Sequence, residues 1–289
     1  MSAIMTRNLV VFMDRGLIVL NKPAGLVAQG GRHAHESKTK TLDHVLEDLT
    51  VSLSLNTKPL PVHRLDRLTT GALILARNPQ TAQTLSSQLR RSASNEINKT
   101  YLALVHGYFE LNYTGEIRKD FYIADGRVSI GKPSDEASYK KAETHTTWRC
   151  LASRRNVSLM ELGLRTGVKH QLRVSMAQIL KAPVLGDPVY GFSCPKDQPR
   201  MMLHSARVEI LRYLRKPAFG SRTYRLGITV PPPTEFLAMC QKYGLSIAEE
   251  WIRSHVRVTV NGSEIPYDNR FPLDEEAVVD ALRKFHANH

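Results

Sequence analysis

The chain has 289 residues, 42% of them hydrophobic and 23% charged, the composition of an ordinary globular protein with length for one large domain or two small ones. No apolar run reaches the roughly 20 residues that a membrane-spanning helix needs, so a soluble protein without a membrane partner is expected. Forty Lys and Arg against 27 Asp and Glu give a net charge of +13, and a surface this basic attracts polyanions, which puts nucleic acid first among partner classes.

Three cysteines, Cys150, Cys194 and Cys240, are widely spaced and form no CxxC pair. That pattern argues against a disulfide framework and against a cysteine zinc site, and it fits a reducing compartment.

In chain order, residues 9 to 29 read as a hairpin: a strand over Leu9 to Met13, the turn Asp14-Arg15-Gly16, and a strand over Leu17 to Leu20. The chain leaves the sheet at Asn21-Lys22-Pro23-Ala24-Gly25, where Pro and Gly interrupt it. Gly30 to Thr41 is a polar loop with Arg32, Lys38 and Lys40; its His33 and His35 lack further ligands and read as solvated. Leu42, Val45, Leu46 and Leu49 stand at i, i+3, i+4 and i+7 and predict a short amphipathic helix.

The stretch Pro61-Val62-His63-Arg64-Leu65-Asp66-Arg67-Leu68-Thr69-Thr70-Gly71 then sets a carboxylate between two arginines, just ahead of the apolar run Ala72 to Ala76. Taken alone, it is either an active-site loop or a solvated ion-paired turn. Asn78-Pro79 opens a helix as a polar cap followed by proline, with Ala82, Leu85 and Leu89 on one face and Arg90 and Arg91 in its last turn.

Lys99 to Val105 alternates as a strand, with Tyr101, Ala103 and Val105 on one face. A core tyrosine satisfied by one hydrogen bond is the ordinary reading of Tyr101. Strand and loop follow, then a strand over Val157 to Arg165 that ends at Thr166-Gly167. The period becomes helical from Val168 to Lys181, where Leu172, Met176, Ile179 and Leu180 form the buried stripe and Lys169 and Arg173, at i and i+4, project together.

Leu185 to Gly191 is a punctuated loop of the kind that lines sites. Another strand region opens at Met201, and Pro231-Pro232-Pro233 marks a linker-like exit. Beyond about residue 245 a strand over Val256 to Val260, an Asn261-Gly262 turn and a helix from Leu273 to Phe285 read as an appended extension, residues 245–289, after a main domain of residues 1–244.

Three separated segments resemble one family, the RluA family of RNA pseudouridine synthases. His63-Arg64-Leu65-Asp66 with Thr69-Thr70-Gly71 is similar to that family's HRLDxxTSG signature, with Thr70 in place of Ser. Lys99 to Gly107 resembles its KxYxAxVxG strand. Leu164 to Val174 resembles its TGRxHQIR or TGRxHQLR helix, and Leu185 to Gly191 is an LGDPxYG-like run. Asn21 to Gly25 and Leu203-His204-Ser205 are weaker echoes, so the likeness covers about residues 9 to 240 in the family's order. Val168 stands where the family has Arg, with Lys169 beside it. The S4-type RNA-binding module of many members is not expected ahead of a catalytic-like sequence that begins by residue 9.

The resemblance implies an α+β catalytic domain, a mixed, mainly antiparallel central sheet flanked by helices, that isomerises uridine to pseudouridine in RNA. Uracil leaves C1′, turns, and rejoins through C5, so an electron-poor sugar carbon must be trapped or stabilised, and a carboxylate serves either way. The resemblance gives that part to Asp66, pairs Arg173 with it, and makes Tyr101 the residue that stacks on the target base and assists proton removal. Arg64 would enter the space that the flipped uridine leaves. His63, Arg67, Lys169, His170 and Leu172 complete the expected substrate-binding set, with Arg67, Lys169 and the Arg90-Arg91 pair aimed at phosphates.

A redox-neutral isomerisation calls for no metal or organic cofactor. Ribosomal RNA is the expected substrate, with transfer RNA second, and the protein is expected to act as a monomer in mitochondria or otherwise in the cytoplasm. A non-catalytic RNA-binding ribosome-assembly factor is the alternative from another class, and loss of Asp66, Tyr101 or Arg173 would have favoured it; all three are present. A carboxylate glycosidase needs a second facing acid that these motifs do not supply.

Overall fold

In a computed structural model, which describes residues 6–28, 41–90, 96–133, 139–191, 200–268 and 272–287, the first hairpin forms where the alternation predicts it. Strand β1 (Val10–Met13) pairs antiparallel with β2 (Leu17–Lys22). The turn is fixed by Asp14, whose Oδ1 accepts the amides of Gly16 and Leu17 at 2.7 Å each, a side chain standing in for a backbone turn. Arg212 closes on the other carboxylate oxygen at 2.7 Å.

The chain divides into two compact units, one of Met1–Ile97, Ser205–Pro231 and Arg253–His289, the other of Asn98–His204 and Pro232–Ile252.

In the first unit, helix α1 (Leu42–Ser52) buries Leu42, Val45, Leu46 and Leu49, the four residues of the predicted stripe. The short strand β3 (Leu60–Pro61) and β2 both pair antiparallel with β4 (Thr70–Ala76), in a register that sets Lys22 opposite Gly71. Every residue of β4 is buried, as a continuous apolar run requires. Helix α2 (Pro79–Arg90) packs on β4 and begins as predicted, with Asn78 Oδ1 accepting the Thr81 amide at 2.8 Å. Its buried residues are Leu85 and Gln88. Gln88 takes the place expected for Leu89 because its amide reaches the Leu211 carbonyl at 3.0 Å.

The late segments of the sequence return to this unit. Strand β10 (Leu203–Ala218) pairs antiparallel with β11 (Ser221–Thr229), and β11 with β12 (Arg257–Val260). At the Asn261-Gly262 turn both residues have positive φ, 48° and 89°, the geometry of a two-residue hairpin loop, and it leads into β13 (Ser263–Ile265), a strand the sequence reading passed over. Phe12, Val19, Ile74, Ile210, Ile228, Val260 and, from helix α6 (Glu275–Ala287), Val278 and Leu282 share one core.

The second unit carries an antiparallel sheet in the order β5 (Ile97–His106), β9 (Val157–Leu164), β8 (Lys140–Arg154), β6 (Thr114–Ala124), β7 (Arg127–Ser129). The expected helix from 168 to 181 is shorter and irregular: α3 (Gln171–Val174) runs into a π-helical turn over Ser175–Ile179. His170 precedes it in the left-handed region at φ 55°, so Lys169 lies outside the helix. The three prolines 231 to 233 stand where the chain passes from the first unit to the second, as a linker-like exit would, and Pro233 holds the extended cap position of α4 (Thr234–Tyr243). A four-residue helix α5 (Glu249–Ile252) completes the unit.

The α+β class and the mainly antiparallel pairing agree with the sequence expectation. Parallel pairing enters at the isolated bridges Asp14 to Leu273 and Val27 to Thr41. Among the described residues no helix is long and apolar enough to cross a membrane.

Candidate active site

Asp66 stands in a loop of the first unit that has no regular structure of its own and is held by its neighbours. Before it, the Ile74 amide donates to Nε2 of His63 at 2.9 Å, tying the HRLD segment to the middle of β4. An accepting Nε2 carries no proton, so a neutral His63 ring holds its proton on Nδ1. Leu65 is buried at 4% exposure and anchors the loop from beneath. Behind Asp66, the carbonyl of Arg67 accepts both the Gly25 amide at 2.8 Å and the Lys22 ammonium at 3.1 Å. The Asp66 carbonyl itself accepts the Thr69 amide at 3.1 Å and closes the turn.

Lys22 is fully buried and also donates to the Pro23 carbonyl at 2.9 Å. An ammonium withdrawn from water must be compensated by acceptors, and the Arg67 carbonyl of the aspartate loop is one of them. This explains the Asn21-Lys22-Pro23-Ala24-Gly25 run: Lys22 ends β2 opposite Gly71, and the Pro-Gly break sends the Gly25 amide to the same carbonyl. Arg64 and Arg67 are exposed, and Asp66 between them is half-buried.

The second unit holds Tyr101, Lys169, His170, Leu172 and Arg173. Tyr101 is 4% exposed on β5, opposite Leu162 of β9, which in turn faces Trp148 of β8. Two residues from Trp148, Thr146 points to the same face and bonds Gln171 Nε2 at 3.0 Å, so α3 is docked on the face of the sheet that carries Tyr101. Gln171 also accepts from Thr166 and from the Val168 amide, which fixes the Thr-Gly turn ahead of the helix.

The guanidinium of Arg173 is gripped by Asp187, with Nε to Oδ2 and Nη2 to Oδ1 both at 2.7 Å. Both side chains are buried, 6% and 0% exposed. Asp187 Oδ1 further accepts the amides of Val189 and Tyr190. Burial alone would raise the Asp187 carboxyl, but the Arg173 guanidinium and these two amides outweigh it and hold it below the usual carboxylate range. The ring of Tyr190 lies 5.2 Å from the Arg173 guanidinium carbon, and its hydroxyl is 3.0 Å from His170 Nδ1.

Asp187 is thus a partner of Arg173 that the sequence reading did not anticipate, though the LGDPxYG-like run containing it was the available signal. Gly191 belongs to the same device, because a side chain there would run into the Asp187 carbonyl. Leu172 is buried. Lys169 and Arg173, expected to project together, part company: with the helix starting only at Gln171, Lys169 donates to the Gly126 carbonyl at 2.6 Å while Arg173 turns to Asp187. The loop basics Arg32, Lys38 and Lys40, the histidines His33 and His35, and Arg91 lie outside the described residues. Among those described, no cluster of three or more His, Cys, Asp or Glu is placed to hold a metal ion.

Residues 16–178 match the RNA pseudouridylate synthase family, and the chain belongs to that family. It is 34% identical to ribosomal large subunit pseudouridine synthase D of Borreliella burgdorferi, over 70% of this chain and 60% of that protein. It is equally, 34%, identical to tRNA pseudouridine synthase C of Vibrio vulnificus, over 70% of this chain and 84% of that one. Human RNA Pseudouridylate Synthase Domain Containing 4 shares the fold, with a TM-score of 0.64 at 22% identity over 86% of this chain and 98% of that one. The expectation of an RNA pseudouridine synthase, an isomerase, is borne out.

Proposed function

We propose that the chain converts a uridine of ribosomal RNA to pseudouridine with Asp66 as the nucleophile at C1′. The observation that carries this reading is the bracing of the Asp66 loop: His63 on the Ile74 amide before it, and Lys22 and Gly25 on the Arg67 carbonyl after it, hold a half-buried carboxylate in one place. A nucleophile gains rate from being positioned before its substrate arrives, and a merely solvated ion pair needs no such bracing. Arg64 and Arg67 flank that carboxylate as exposed cations suited to the RNA backbone. Tyr101 takes the target base, as the family resemblance implies, and Asp187 holds the charged guanidinium of Arg173 in one orientation.

The ribosomal reading draws on the likeness to the large-subunit synthase, and the equal likeness to a tRNA synthase supports transfer RNA as the second reading. Mapping pseudouridines in total RNA from cells lacking the gene separates them: a lost site in large-subunit rRNA is expected, a lost site in tRNA alone would replace the first reading with the second, and no lost site in any RNA would remove both. Asp66→Asn and Asp66→Ala are expected to abolish tritium release from 5-tritiated uridine in RNA while RNA binding persists. Turnover near that of the parent enzyme would rule out Asp66 as the nucleophile.

A further inference from the structure

Among the described residues, no acid is hydrogen-bonded or ion-paired to the half-buried Lys99. It lies on β5 two residues before Tyr101, so both side chains leave the strand on the face where Gln171 docks. Its ammonium has no hydrogen-bond or ion-pair partner among the described residues.

Three acids of the same unit are committed to other cations. Asp187 holds Arg173, Glu116 holds Arg118 and His145, and Glu161 pairs with Arg149 on the opposite face of the sheet. The nearby cations are committed as well: Arg165 donates to Asn98 Oδ1 at 2.7 Å and Lys169 to the Gly126 carbonyl. Half-buried without a counter-charge, the Lys99 ammonium has its pKa pushed down by desolvation to about 8.

The space beside it is open. A Cβ built on Gly167, in the turn fixed by Gln171, would meet only Lys99 Nζ within 4 Å, at 3.9 Å. Gly167 is exposed, so a ligand can reach this position from solvent.

We propose that Lys99 is a phosphate-binding residue of the substrate site, its ammonium taking a phosphodiester of the RNA in the gap that Gly167 leaves open. The proposal rests on the reading of an RNA substrate and adds the residue and the group on the RNA that it meets. A phosphate supplies the missing counter-charge, and an ammonium is a suitable point-charge binder for it.

The test measures binding of an unmodified large-subunit rRNA transcript to the full chain across a range of KCl concentrations, alongside turnover and melting temperature. Lys99→Met is expected to weaken binding about tenfold at low salt, to reduce the slope of log K against log salt by about 0.7 to 0.9, the value of one phosphate contact, and to raise KM with little change in kcat. Lys99→Arg should restore the slope. Because an unpaired half-buried ammonium does not stabilise the fold, Lys99→Met should melt no lower than the parent, whereas a purely structural lysine would lower it.

Gly167→Asp is the second variant and is judged independently of the first. It fills the gap with a carboxylate facing Lys99, should reproduce the loss of affinity, and should add nothing further in the Lys99→Met background. An unchanged salt slope in either variant, or equal losses from Gly167→Asp with and without Lys99, overturns the proposal. If the parent enzyme itself neither binds nor modifies the transcript, the ribosomal reading fails, and the same variants are measured on a tRNA transcript.

Discussion

The ammonium of Lys22, with no exposed surface, donates at 3.1 Å to the carbonyl of Arg67, one residue beyond Asp66. A buried charge at the end of one strand is thereby spent on the backbone of the loop that carries the proposed nucleophile. Its neighbour Gly25 makes a second bond to the same oxygen, so the entry into the site and the exit from the first hairpin are a single unit.

Lys22→Met removes two hydrogen bonds to backbone carbonyls and is expected to destabilise the protein by about 1 to 3 kcal/mol. Loss of loop position should lower kcat by on the order of a hundredfold with RNA affinity preserved. Urea unfolding together with single-turnover kinetics checks both; a stable variant with unchanged kcat would leave the Asp66 loop positioned by His63 and Gly25 alone.

Asp187→Ala strands a buried guanidinium and is expected to cost about 3 to 5 kcal/mol, read from urea midpoints. Arg173 should then lose its fixed orientation and turnover should fall further than the stability loss accounts for.

The same pair carries a pH signature. The Asp187 carboxyl is held below its ordinary value in the folded protein, so its contribution to stability is complete above the unfolded value of about 4 and is lost as pH falls through the lowered native value. The difference in melting temperature between the parent and Asp187→Asn should be largest near neutrality and shrink below about pH 4; a gap that widened with acid would reverse the assignment of the shift.

Tyr101→Phe is expected to leave RNA binding intact and to slow a step after cleavage of the glycosidic bond, seen in rapid-quench kinetics as accumulation of an intermediate that still carries its C5 tritium, with tritium release delayed. Equal rates for Tyr and Phe would confine Tyr101 to stacking.

Asn78→Ala serves as a control away from the chemistry. Loss of the 2.8 Å cap on the Thr81 amide should cost about 1 kcal/mol, with kcat and KM unchanged.

Much of this protein is written locally. The stripe Leu42, Val45, Leu46 and Leu49, the Asn78-Pro79 helix start, the Asn261-Gly262 turn and the alternation around Tyr101 each follow from the conformational preferences of a few adjacent residues, and each forms where those preferences put it. The motif around Asp66 was also visible in the sequence, because its residue types are unusual together. What the sequence could not decide is which distant groups meet. Arg173 finds Asp187 fourteen residues on only because His170 turns left-handed and delays the helix, which also sends Lys169 to Gly126. Lys22 stands in the Pro-Gly break after the first hairpin, and only the pairing of β2 with β4 buries it against the Arg67 carbonyl forty-five residues away. Periodicity assigns a residue to a face, but the partner of a buried charge is chosen by strand register and packing, and these exist only in the folded chain.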